Sequence, residues 1–353
     1  MKSDRGTLRY AGRMVRQSSM PPPEKIGISR ACLFGGSGLI GRAFATTLER
    51  DGVEVTLYRR QHGRSHGKAK GGRGELTPIH ESSATWDPVS RTLDPGPLER
   101  ADAVVNLAGE NLADGMWTRS KKQRIWSSRV DVTQWLATTL AALPQGKRPS
   151  ILINASAVGF YGDRGHEHVN EDSQRGKGFL AELCEAWEAA TRPARDAGIR
   201  VVNVRFGVVL APEGGALAKM LPVFSKGLGG RFGDGLQAMP WITLTDAVGV
   251  LRFALTHAEL HGPVNAVAPD LITNGQLTDA LSRSLGKPAR LPVPAFALRT
   301  LFGEMARETL LAGARVHPRK LEIAGYRFEY PRLDDALHAL MTAVSSAGRH
   351  PAP

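Results

Sequence analysis

Residues 32–44, "CLFGGSGLIGRAF", constrain this chain more than any other stretch. An apolar run breaks into closely spaced glycines and resumes with helical spacing. Gly35, Gly38 and Gly41 stand at G-x-x-G-x-x-G intervals, with Ser37, Leu39 and Ile40 between them. In a strand–turn–helix this spacing does three things. The first glycine makes the tight turn off the strand, the second lets the backbone approach a pyrophosphate, and the third lets helix and sheet pack closely. The helix then presents its N-terminal N–H groups and the positive end of its dipole to the phosphates. A plain structural turn is the alternative. The motif demands a preceding strand, a following helix and then a second strand, and all three are present here.

The pattern around this turn predicts an α/β fold, a Rossmann-type doubly wound parallel sheet with a small, mainly helical C-terminal cap. Strands are expected at 31–34, 53–58, 84–86, 102–108, 150–157 and 200–207. Helices are expected near 39–50, 118–142, 178–197, 215–226 and 245–257, the third perturbed by Pro193. Beyond about residue 270 the pattern turns helical, with no intervening parallel strands. The expected organisation is a basic extension at 1–25, a dinucleotide-binding domain at 26–270 with a basic insertion at 61–82, a helical domain at 271–342 and a tail at 343–353.

The second strand runs into "LYRRQ", so Arg59 and Arg60 stand where a site selective for the unphosphorylated dinucleotide carries an acid for the ribose 2′-hydroxyl. Arginine suits a 2′-phosphate through its fork of donors and its permanent charge. The expected cofactor is therefore NADP rather than NAD.

The net charge of +12 invites a nucleic-acid partner, but its distribution argues against one. Residues 1–30 carry +5 and residues 61–74 carry +4, so nine of the twelve charges lie in two Gly-, Ser- and Pro-containing segments and the remainder is nearly balanced. No stretch reaches the roughly 18 apolar residues of a membrane span, and the start lacks a secretory core, so a cytoplasmic protein with no membrane partner is expected. The two cysteines, Cys32 and Cys184, have no ligand spacing around them, and "HEH" at 166–168 has no third partner. No disulfide and no metal are expected.

Three groups of residues carry a resemblance. The glycine turn, "NLAG" at 106–109 and "SAVGFYG" at 156–162 together resemble the extended short-chain dehydrogenase/reductase superfamily. The longer stretches "NLAGENLADGMWTRSKKQRIWSSRVDVTQWL", "GGALAKMLPVFSKGLGGRFGDGLQAMPWI" and "VHPRKLEIAGYRFEYPRLDDAL" resemble its atypical epimerase family, whose members carry a C-terminal domain of unknown function. The likeness runs over about residues 28–342. It implies cofactor contacts from Arg60, from Leu107, Ala108 and Gly109 after the fourth strand, and from Arg129. It also implies Val209 at the nicotinamide end and Trp86 and Asp87 near the adenine. Gln237, Met239 and Trp241 would face a small-molecule substrate, and members of the superfamily often form homo-oligomers.

Superfamily members use a tyrosine and a lysine four residues later, the lysine lowering the phenol's pKa so that it can exchange a proton while hydride moves. The five tyrosines here are followed at that distance by Met14, His62, Gly165, Tyr330 and Asp334, so the pair is absent. In "KGFLAELCEAWEAA" the tyrosine position falls at Phe179 or Leu180 and the lysine position at Leu183 or Cys184. Ser156 and Tyr161 are the candidate proton-transfer groups in its place, with Glu171 and Asp172 behind them. Arg205, at a strand end, either binds an anionic substrate or forms a structural ion pair. The expectation is an NADP-binding oxidoreductase or epimerase with a non-standard acid/base set. The alternative is an NADP-binding sensor or scaffold without catalysis, as the cell-division label on some relatives suggests.

Overall fold

The computed structural model describes residues 26–60 and 82–347. The basic extension, nearly all of the insertion and the last six residues lie outside them.

The first half lays down β1 (Arg30–Phe34), α1 (Leu39–Arg50), β2 (Glu54–Arg60), β3 (Ser82–Asp87), the short β4 (Thr92–Leu93) and β5 (Ala103–Asn106). Helices α2 (Arg119–Ser127) and α3 (Val130–Ala142) lead to β6 (Ile151–Ala157) and the two-residue β7 (His168–Val169). Then come α4 (Phe179–Ala189), α5 (Arg192–Asp196), β8 (Arg200–Phe206), β9 (Val208–Ala211) and α6 (Gly215–Ser225). The chain continues through β10 (Trp241–Thr243), α7 (Leu244–Thr256), β11 (Gly262–Ala266), α8 (Asn274–Leu285) and α9 (Ala295–Phe302). It closes with β12 (Arg315–Val316), α10 (Arg319–Ile323) and α11 (Leu333–Ala347).

Eight strands form one sheet in the order β11-β8-β6-β5-β1-β2-β3-β4, parallel throughout except for the antiparallel edge strand β4. Strand order reverses between β1 and β5, the switch point at which such sheets open a crevice beyond their carboxyl ends. Both faces are covered, so successive residues of one strand feed different cores. Ala31 and Leu33 pack with Phe44, Leu48 and Leu251 from α1 and α7, whereas Cys32 and Phe34 pack with Leu136 and Leu140 from α3. At the crevice end, Asn106, Asn154 and Asn203 stand side by side on β5, β6 and β8. Their amides interlock: Asn106 Nδ2 donates to Asn154 Oδ1 at 2.8 Å, and Asn154 Nδ2 to Asn203 Oδ1 at 3.3 Å.

The structure revises several sequence expectations. The helix expected over 118–142 is two helices broken at Arg129, whose backbone (φ −113°, ψ −65°) caps α3. The helix expected over 178–197 divides into α4 and α5, with Pro193 in the first turn of α5, where a missing N–H costs nothing. Strand β11 escaped the pattern because its sequence opens Gly-Pro, a turn signal. The region beyond 270 is not purely helical, since β12 pairs parallel with β7 and ties Arg315 and Val316 to His168 and Val169. Trp241, Leu277, Leu281 and Leu337 share one buried cluster that joins α8 and α11 to β10.

Candidate active site

A cleft of about 280 Å3 opens at the switch point, lined by Gly35, Gly38 and Leu39 through Gly41 on one side and by Leu107, Ala155, Phe206, Val208, Val209, Gly215 and Ala216 on the other. The glycines are needed by contact. Gly35 has φ +81°, and a Cβ there would stand 2.6 Å from the Leu107 carbonyl. A Cβ on Gly41 would collide with the Gly35 carbonyl oxygen. Gly38 caps α1 without any side chain, leaving the helix N-terminus open toward the cleft. Ser37 is exposed at the turn, its carbonyl accepting from Arg42 Nη1. This half of the site is built to take phosphate.

Arg59 and Arg60 end β2 on the surface, and the Arg60 guanidinium lies 5.5 Å from the ring centre of Trp86. Trp86 is buried against Phe34 and Trp135, and its indole N–H has no partner among the described residues. Asp87 turns its carboxylate onto the Ser90 hydroxyl and the Val89 N–H, which hold its carboxyl below the usual carboxylate range.

After β5 the chain runs through Leu107, Ala108 and Gly109 alongside Arg129. Gly109 makes room for the arginine, since a Cβ there would stand 3.0 Å from Arg129 Cζ. The guanidinium lies 5.1 Å from the Trp187 ring centre, and its only hydrogen bonds among the described residues are at 3.5 Å, to the Ile125 carbonyl and the Ser128 hydroxyl. It meets no carboxylate at ion-pair distance among the described residues, and burial pulls its pKa down to about 10. A cation sunk into protein without a counter-ion is costly unless a ligand supplies one.

The proton-transfer candidates lie elsewhere. Ala155 lines the cleft, and by strand alternation Ser156 points away from it, donating its hydroxyl proton to Glu188 Oε1 at 2.7 Å. Glu188 also grips Arg205 bidentately, at 2.7 and 2.8 Å. Arg205 Nη1 donates to the Tyr161 oxygen, and Tyr161 donates to Asn265 Oδ1. Tyr161 is fully buried, and burial pushes its phenol up to about 12. Arg205 is thus a buried structural ion pair rather than a free anion binder, and neither Ser156 nor Tyr161 lines the cleft. Glu171 is also buried, one oxygen accepting from the Asn265 and Lys320 N–H groups while the other has no partner among the described residues, and burial raises its pKa. Asp172 is an exposed ion-pair partner of Arg319.

The expected substrate-side residues make intramolecular contacts as well. Gln237 donates to the Phe232 and Leu310 carbonyls, and Met239 packs against the cluster beneath α8. Trp241 is wholly buried with its N–H on the Asp270 carbonyl. Val209, by contrast, does line the cleft. Where a tyrosine and lysine would sit on α4, Phe179, Leu180 and Leu183 form an apolar cluster with Trp117 and Met305. The sequence reading missed Glu188, the hub of the buried network. Its signal was weak: one more helical turn beyond Cys184 on α4. It also missed Glu308, whose carboxylate accepts the Phe179 and Leu180 N–H groups at 2.9 and 2.8 Å and so docks the C-terminal segment on the start of α4. No group of three metal-ligating side chains exists among the described residues, and no described helix is long and apolar enough to cross a membrane.

A parallel sheet with a side-chain-free glycine cradle at its switch point defines a dinucleotide-fold protein, and comparison with known proteins gives the family. The model of the NAD dependent epimerase/dehydratase family matches residues 31–267, and that of a domain of unknown function, DUF1731, matches 293–340. The chain belongs to the NAD dependent epimerase/dehydratase family. It is 42% identical over 306 residues to the epimerase family protein Mb2239 of Mycobacterium bovis, spanning 86% of this chain and 95% of that protein. It is 35% identical over 315 residues to the human epimerase family protein SDR39U1, spanning 88% and 99%. The crystal structure of human SDR39U1 (isoform 2) with NADPH superposes with a TM-score of 0.77 at 34% identity, covering 89% of this chain and 99% of that one.

Proposed function

We propose that the chain binds NADP in the switch-point cleft and acts as an oxidoreductase or epimerase on a small molecule, with an acid/base group other than the tyrosine–lysine pair. The observation that carries the cofactor reading is Arg129, a guanidinium that meets no carboxylate at ion-pair distance among the described residues, beside the cleft strand end. The relative crystallised with NADPH supports the same choice. In this reading the open N-terminus of α1 and Gly35, Gly38 and Gly41 hold the pyrophosphate, Arg59 and Arg60 face the 2′-phosphate over Trp86, and Arg129 meets an anionic or hydroxyl group. Leu107, Ala155, Phe206 and Val209 exclude water from the far end of the cleft. A bound nicotinamide supplies or accepts hydride. The C-terminal segment then closes the substrate side, with 26–270 and 271–342 as the two working units of a cytoplasmic protein.

A second reading, an NADP-binding sensor or scaffold, is favoured by one observation: no titratable side chain is among the cleft-lining residues. Two measurements separate the readings. NADPH titration gives binding, and single-turnover loss of the reduced nicotinamide absorbance in a pool of carbonyl metabolites gives chemistry. Tight binding with no turnover in any pool would favour the second reading, and no binding would defeat both.

A further inference from the structure

Helix α9 leaves much of its apolar surface uncovered. Its sequence, AFALRTLF, buries only Leu298, while Phe296 is 70% and Leu301 62% exposed. At 3.6 residues per turn, Phe296 and Leu298 point in nearly opposite directions, so the aromatic ring projects straight outward. The apolar surface continues beyond the helix. Leu291, 53% exposed, pairs its N–H with the Gly229 carbonyl, beside Leu228, which is also 53% exposed. Strand-like contact of Phe232 with Val293 holds this turn against the lead-in to α9. Exposed large apolar side chains gathered in two adjoining segments, rather than a single exposed leucine, point to an interaction site.

Cations without an ion-pair partner predominate around it. Lys226, Lys287, Arg290 and Arg299 are exposed in the same stretch and meet no carboxylate among the described residues. Of the acids nearby, Asp279 pairs with Arg231 and Glu304 with Lys122, while Asp234 accepts the Leu236 N–H. A second copy placed on this face by a two-fold axis would bring these cations toward one another, which disfavours self-association.

We propose that α9 and the 226–231 turn form a peripheral docking surface for an anionic membrane, the apolar side chains entering the headgroup boundary and the cations meeting lipid phosphates. This requires no spanning helix, and it departs from the expectation of no membrane partner.

The test is co-sedimentation of the full-length chain with phosphatidylcholine vesicles, with and without phosphatidylglycerol. The basic extension and insertion also attract anionic vesicles, so the discriminating variant is apolar. Phe296→Ser with Leu301→Ser should lower partitioning onto phosphatidylglycerol vesicles by at least about tenfold while leaving NADPH binding unchanged. Arg290→Gln with Arg299→Gln should lower it by about fivefold per cation at low salt. A Phe296→Trp variant gives a second readout, a blue shift of its emission on adding these vesicles. Partitioning of the double serine variant equal to that of the wild type, with no blue shift, overturns the proposal. Conversion of a dimer to a monomer by the serine variant, with vesicle binding unchanged, overturns it in favour of a contact between copies.

Discussion

Gly109 and Arg129 are fitted to one another: a single methyl group on Gly109 would press within 3.0 Å of the arginine's central carbon. The guanidinium is held by shape, by Trp187 and by two long hydrogen bonds, and no carboxylate among the described residues reaches it at ion-pair distance. Such a residue weakens the empty protein and strengthens the filled one. Arg129→Met should therefore raise the melting temperature of the unliganded chain by roughly 2–4 °C for each kcal/mol of relieved charge burial. The same variant should shrink the stabilisation by NADPH. Thermal unfolding with and without NADPH checks both signs, and a variant that is less stable empty but keeps the full NADPH shift would contradict this account.

Arg60 lies over the indole of Trp86, near the Asp87 carboxylate. Arg60→Ala should erode a preference for NADPH over NADH by about tenfold or more, because one charge-assisted contact to a phosphate is lost. Competitive titration with the two dinucleotides decides it, and an unchanged ratio makes the arginine a bystander.

The Glu188–Arg205 pair is buried, with Ser156 and Tyr161 completing its hydrogen bonds. Removing one partner of such a pair strands the other. Arg205→Met alone should cost about 3–5 kcal/mol in urea unfolding, while Arg205→Met with Glu188→Leu should recover most of the loss. Additive losses in the double variant would show that the two charges do not act as a pair.

Glu171 gives a pH dependence of definite sign. Burial raises its folded-state pKa, so above the unfolded carboxylate value the native state binds more protons than the unfolded chain. Its contribution to stability falls as pH rises from about 4.3 through the raised pKa, and the full penalty is in place above it. Glu171→Gln should thus stabilise the protein at neutral pH and have little effect near pH 4. Melting temperatures of the two proteins at both pH values test this; a gain that persists undiminished in acid would exclude deprotonation as its source.

The cradle was legible because each of its requirements is local. Glycines at fixed spacing, a flanking strand and helix, and arginines at the end of the next strand all lie within about 30 residues, so the pattern is visible in one window. The ends of β1 and α1 follow from it within a residue. What did not show was decided by contacts remote in sequence. Ser156 lies near the expected position, yet its partner, Glu188, lies 32 residues on. Arg205 carries a charge that either function could use, and the carboxylate that claims it is on another element. Trp241 reads as a substrate-side aromatic in a loop motif, and only the packing of α8 and α11 over β10 shows it to be core.

The row of asparagines across β5, β6 and β8 bears on how the sheet assembles. Neighbouring strands of a parallel sheet are not joined by a tight turn, so nothing local sets which residue faces which. A strand added one residue out of step would turn its amide to the opposite face and leave the adjoining amide unanswered in a dry interior. The rung therefore acts as an alignment mark, satisfied only when three separate segments pair in this one register.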